Sequence, residues 1–179
     1  MENVVGVNLL TLINKMTVIN ENTCKYIFKQ LILILLELKK NNIAHRDIKP
    51  DNILIDLQGR VKLCDFGISK IFKINHNNNK ICNDIVGTPA FIAPEILNCI
   101  ENENIYYDPF QTEIWSSGVV LYSMLTGIFP FRGVNEKELN NNIKSANFPQ
   151  LNKNVISEDA IDIINKMLEI NPDKRIKNK

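Results

Sequence analysis

The chain has 179 residues, enough for one domain or for part of a larger one. Its hydrophobic fraction of 45% and charged fraction of 23% are ordinary for a soluble globular protein. A formal net charge of +1 gives no general attraction to nucleic acid or to an anionic membrane surface.

The N-terminal Met1-Glu2-Asn3 carries no basic region of the kind that opens a secretory signal. A helix is expected over residues 20–41. Asn20 is its candidate N-cap, Glu21 favours the first turn, and Ile27, Phe28, Leu31, Ile34, Leu35 and Leu38 recur at intervals of three and four. Within it, residues 31–36 form the most apolar run, far short of the ~20 apolar residues that a membrane span needs. That run reads as buried helix, and membrane insertion is not expected.

Two short apolar runs follow, Ile53-Leu54-Ile55 and Val61-Lys62-Leu63. They flank Asp56-Leu57-Gln58-Gly59, which reads as a hairpin turn. Helical patterns then dominate, at 114–125 (apolar and buried), 136–145 (polar and superficial) and 157–170, where Ser157 caps and Glu158 and Asp159 occupy the first turn. Cys24, Cys64, Cys82 and Cys99 show no paired spacing, which suits reduced thiols in a cytosolic protein rather than a zinc site.

The polar residues that a core would not choose stand at the hairpin. His45-Arg46-Asp47-Ile48-Lys49-Pro50-Asp51-Asn52 precedes its first strand, and Asp65-Phe66-Gly67 follows its second. A two-stranded turn brings those ends together, so Asp47, Asn52 and Asp65 are expected to converge on one cleft. Their oxygens suit Mg2+, a hard cation that takes few protein ligands. Lys49 offers a compact positive charge for a phosphate. Phosphoryl transfer needs these parts and little covalent chemistry from the protein.

His45-Arg46-Asp47 with Asn52 five residues after Asp47 resembles the catalytic loop of eukaryotic protein kinases. Asp65-Phe66-Gly67 resembles their magnesium-binding triplet, and Ala93-Pro94-Glu95 the end of their activation segment. The likeness extends to Met1-Glu2-Asn3 as hinge, 20–41 as the long helix before the catalytic loop, Glu113-Ile114-Trp115-Ser116-Ser117-Gly118 as the start of the central helix, and Asn171-Pro172-Asp173-Lys174-Arg175. Lys49 and Gly87-Thr88-Pro89 resemble the Ser/Thr type, and Gly87-Thr88-Pro89-Ala90-Phe91 with Thr126-Gly127-Ile128-Phe129-Pro130-Phe131 is most similar to the calcium/calmodulin-dependent group.

The resemblance implies a kinase using ATP and Mg2+ on Ser/Thr hydroxyls of protein substrates, in the cytoplasm or nucleus. It implies that Asp47 accepts the hydroxyl proton, Lys49 contacts the transferring phosphate, Asn52 and Asp65 hold magnesium, and Thr88 shapes the substrate platform. Glu95 would pair with Arg175. His45 and Phe66 read as packing residues, Arg46 as an internal ion-pair partner, Asp51 as a solvated acid and Trp115 as core. Glu113 departs from the family's usual Asp, which anchors the backbone of the catalytic loop. Residues 71–86 contain no Ser, Thr or Tyr, and Asp84, three residues before Gly87 where related chains hold a phosphate, reads either as a partner for Arg46 or as a plain loop acid beside Asn83.

The glycine-rich loop, strand lysine and helix glutamate of the family's small lobe have no counterpart in the sequence, and Gly6 alone is no phosphate loop. The expected fold is therefore mainly α with a small β hairpin: a protein-kinase-like C-terminal lobe (α+β) with the small N-lobe absent. Residues 1–179 are expected to form a partial kinase domain, hinge and C-lobe, stopping before the final helix. The rival reading is a kinase-derived binding module or inactive fragment.

Overall fold

The computed structural model describes residues 4–72 and 81–177. Strand β1 (Gly6–Asn8) leads into α1 (Leu9–Met16), and α2 (Glu21–Lys40) follows. Strand β2 (Ile43–Ala44) opens the segment that carries residues 45–52, which closes on the hairpin β3 (Ile53–Asp56) and β4 (Val61–Leu63). After β5 (Lys70–Ile71) the chain is helical: α3 (Pro94–Glu101), α4 (Pro109–Thr126), α5 (Glu136–Lys144) and α6 (Glu158–Met167). The expected hinge at Met1-Glu2-Asn3 lies outside the described residues.

Local chemistry sets these boundaries. Asn20 caps α2 by accepting from the Asn22 N–H at 2.9 Å, and Cys24, Ile27, Leu31 and Leu35 form its buried stripe. Helix α4 begins five residues before the apolar pattern suggests. Asp108 caps it and Pro109 supplies a first-turn residue with no N–H to satisfy. The polar Gln111, Thr112 and Glu113 near that start are buried, so apolar periodicity alone could not reveal it. Gly127 ends the helix at φ 73°, and a Cβ there would overlap the carbonyl oxygen of Thr17.

Helix α4 is the axis of the core. Trp115 is fully buried and stacks on Phe131 with centroids 5.3 Å apart. Gly118 brings the α4 backbone against Met167 and Leu168 at the end of α6. Helix α2 packs on α4 and also covers β4.

The expectation of one small hairpin with the small N-lobe absent is corrected. A three-stranded antiparallel sheet, ordered β1-β3-β4, stands at the N-terminal end, and a second sheet joins β2 to β5. Gly6 pairs with Asp56, and a Cβ at Gly6 would overlap the Ile55 carbonyl, so glycine is what lets this strand close on the hairpin. Three residues are too few to show alternation, and the strand is invisible to pattern reading.

Candidate functional site

Hairpin register builds the cleft. Ile53 pairs with Leu63, and the Cys64 N–H donates to the Asn52 carbonyl at 2.9 Å, which places Asp65 one residue from Asn52's partner. A single helical turn, Pro50–Asn52, folds the loop so that Asn52 returns to Asp47. The Asn52 amide donates to the Asp47 carbonyl at 2.9 Å and to Asp47 Oδ2 at 3.1 Å. Both amide hydrogens are thereby committed, and the Asn52 oxygen is the end left to ligate.

Asp47 lies at the centre. Lys49 Nζ stands 2.7 Å from Asp47 Oδ2 and also donates to Thr88 Oγ1 at 2.9 Å. Thr88 in turn donates to Asp47 Oδ1 at 2.7 Å. The sequence-predicted trio of Asp47, Lys49 and Thr88 is thus one closed triangle spanning 41 residues of chain. Burial pushes the Asp47 carboxyl up, but the hydrogen bonds from Lys49 and Thr88 outweigh it and hold the group below the usual carboxylate range.

The loop is fixed from behind. His45 is buried, its ring Nε2 donates to the Cys64 carbonyl at 2.9 Å, and Nδ1 faces the Asp47 N–H at 3.3 Å. Burial lowers its pKa, so the neutral ring suits this role. Phe66 meets His45 edge to face at 4.8 Å while staying 45% exposed, so it packs on one edge only. Gly67 donates to Asp65 Oδ1 at 3.3 Å. Glu113 Oε1 accepts the His45 N–H at 2.5 Å and the Arg46 N–H at 3.2 Å. Its longer side chain therefore reaches the loop backbone.

Arg46 Nη1 lies 2.5 Å from Asp84 Oδ2, and Arg46 Nε donates to the Ile68 carbonyl at 2.6 Å. Sequence reasoning missed two further members of this cluster. Lys70 Nζ reaches the same Asp84 oxygen at 2.9 Å, and the Tyr107 hydroxyl donates to the Asp84 carbonyl. Neither carries a signal in the sequence, because both arrive by tertiary folding of separate loops. Farther off, Arg175 is bidentate to Glu95 at 2.6 and 2.9 Å and is fully buried. Asp51 is exposed.

The donor set fits magnesium. Among the described residues no cluster of three or more His, Cys, Asp or Glu is placed to cage a metal. One carboxylate (Asp65) and one amide oxygen (Asn52) are hard donors, too few for a protein cage and suited to a cation that shares phosphate and water oxygens.

The family described as Protein kinase domain matches residues 1–179. That match begins at the first residue and takes in the three-stranded sheet, which overturns the expectation of a chain with its small N-lobe absent. The chain is 41% identical over 180 residues to the serine/threonine-protein kinase cds1 of Schizosaccharomyces pombe, covering 98% of this chain and 38% of that protein. It is 37% identical over 163 residues to serine/threonine-protein kinase 17A of Oryctolagus cuniculus, covering 87% and 38%. It is 33% identical over 201 residues to the probable serine/threonine protein kinase IRE4 of Arabidopsis thaliana, covering 98% and 19%. The chain therefore spans less than two fifths of the length of these relatives. With the whole chain inside the match, it belongs to the protein kinase family and is of the Ser/Thr type.

Proposed function

We propose that the protein transfers the γ-phosphoryl group of ATP to serine and threonine hydroxyls of other proteins, with Mg2+ held by Asn52 and Asp65. The observation that carries this reading is the Asp47 carboxylate, bound by Lys49, Thr88 and Asn52 and kept ionised by them. An ionised carboxylate orients the acceptor hydroxyl and takes its proton as the new O–P bond forms and the bond to the leaving diphosphate oxygen breaks. Lys49 Nζ, already 2.7 Å from Asp47, supplies a point charge for the oxygens of the phosphoryl group in transit. Thr88 ties the segment that receives the substrate to the catalytic carboxylate. Magnesium would supply charge neutralisation along the phosphates.

The four cysteines are free thiols, which supports a reducing compartment such as the cytoplasm or nucleus. The test is Asp47→Asn in the purified full-length protein, which keeps the amide in the hydrogen-bonded triangle and removes the proton acceptor. Turnover should fall by at least ~100-fold with ATP affinity nearly unchanged. Undiminished turnover would remove Asp47 from the mechanism.

A further inference from the structure

Among the described residues three acidic side chains are buried, Asp56, Glu95 and Glu113. Asp56 faces Arg60 at 2.7 Å and Glu95 faces Arg175 at 2.6 Å. Glu113 instead spends one oxygen on two peptide N–H groups, those of His45 and Arg46.

What those N–H groups belong to gives the contact its meaning. Arg46 sits at φ 70°, in the left-handed region that a side-chain-bearing residue holds only when its surroundings impose it. The next residue is Asp47. The Glu113 carboxylate therefore restrains a strained peptide immediately before the proton acceptor. Two small cavities flank it. One is lined by Arg46, Asp47, Thr88 and Glu113, and the other by Leu35, Lys39, Glu113 and Ser117.

We propose that Glu113 is a positioning residue whose protonation releases the catalytic loop: ionised, it holds Arg46 and Asp47 in the productive geometry, and neutral, it lets them relax. The proposal rests on the kinase reading for its consequence in turnover. Hydrogen bonds to a charged acceptor are roughly twice as strong as those to a neutral one, so one proton weakens both restraints at once. Burial raises the Glu113 pKa to about 7, with the nearby Asp108 carboxylate adding to that rise and the two N–H groups opposing it. The charged or titratable groups facing it are Lys39 on α2, Tyr107 and Asp108 at the start of α4, and His45, Arg46 and Asp47 in the loop. Burial drives the His45 ring in the other direction, below its ordinary value.

The consequence has an unusual sign. A carboxyl whose folded pKa lies above its ordinary 4.5 binds its proton more tightly when folded. Its contribution to stability is complete below pH 4.5 and is lost as the pH rises through about 7. Turnover should rise over the same range in which that stability is lost.

The experiment is a kcat–pH profile from pH 5.5 to 8.5 on the purified full-length protein, with amide hydrogen exchange at His45 and Arg46 at pH 6 and pH 8 after correction for intrinsic rates. Wild type should lose kcat roughly tenfold from pH 8 to pH 6, one decade for a single group titrating near 7, and should lose protection at both amides. Glu113→Gln, permanently neutral, should show low kcat without that acid limb, equal protection at the two pH values, and a Tm at pH 8 no lower than wild type. Glu113→Asp should regain most of the turnover at pH 8. An acid limb near 7 that persists in Glu113→Gln, or wild-type protection that does not change with pH, overturns the proposal. Absence of phosphoryl transfer at every pH would defeat the kinase reading instead, and the exchange measurements would still decide the role of Glu113.

Discussion

Arg46 and Asp84, 38 residues apart in sequence, meet at 2.5 Å, so the residue before the Asp47 carboxylate grips the segment that leads to Thr88. Lys70 adds a second cation to the same oxygen. The Asp84 carboxyl is held below its usual range by Lys70 first, with burial opposing and Arg46 assisting. A carboxylate thus occupies the place between two cations without any modification of the chain.

The segment should accordingly be ordered in unphosphorylated protein. Asp84→Ala is expected to lower kcat/KM about fivefold, the equivalent of ~1 kcal/mol for a half-exposed ion pair. Asp84→Glu should restore most of it. The comparison is made on protein shown by mass spectrometry to carry no phosphate, and equal activity of Asp84→Ala and wild type would show that the pair is ornamental.

The bidentate Arg175–Glu95 pair is buried on both sides, and Arg175 also donates to the Gln111 and Glu169 carbonyls at 2.9 Å. Removing one partner leaves the other charge uncompensated. Arg175→Met should cost about 3–5 kcal/mol in urea denaturation. The double variant Arg175→Met/Glu95→Gln should recover a substantial part of that loss, because the stranded carboxylate is gone. A single variant as stable as wild type would show that the pair contributes nothing.

Glu21 joins the beginnings of two helices. Its carboxylate accepts from the Ser157 hydroxyl at 2.6 Å and the Ser157 N–H at 3.0 Å, and pairs with Lys25 at 2.9 Å. These bonds, Ser157 foremost, lower its pKa to about 2. The folded value is depressed, so the stability it contributes is present above pH 4.5 and is lost as the pH falls toward 2. Thermal melts between pH 6 and pH 2.5 should therefore fall less steeply for Glu21→Gln than for wild type. Parallel curves would assign the acid loss to other carboxylates.

The grouping of the candidate site was legible in sequence because its residues fall in two short runs on either side of one hairpin. Asp47, Asn52 and Asp65 need only the β3–β4 register to approach, and that register follows from apolar runs around a turn. Thr88, Glu95 and Arg175 were reached through family likeness, not spacing. Strand β1, the strand pair β2–β5 and helix α3 were not legible. They are short or of mixed polarity, and pairing across the chain decides them. Lys70 and Tyr107 at Asp84 belong to the same class: loops set them beside the carboxylate, and no periodicity marks them.

The fully buried Arg175 also has a consequence for biosynthesis. Glu95 is made 80 residues earlier than the guanidinium that neutralises it. At ordinary synthesis rates that interval is roughly 4–16 s. During it the start of α3 carries a carboxylate built for a buried position with no counter-charge to accompany it. The segment that ends at Glu95 therefore gains its counter-charge only after the region around Arg175 has left the ribosome.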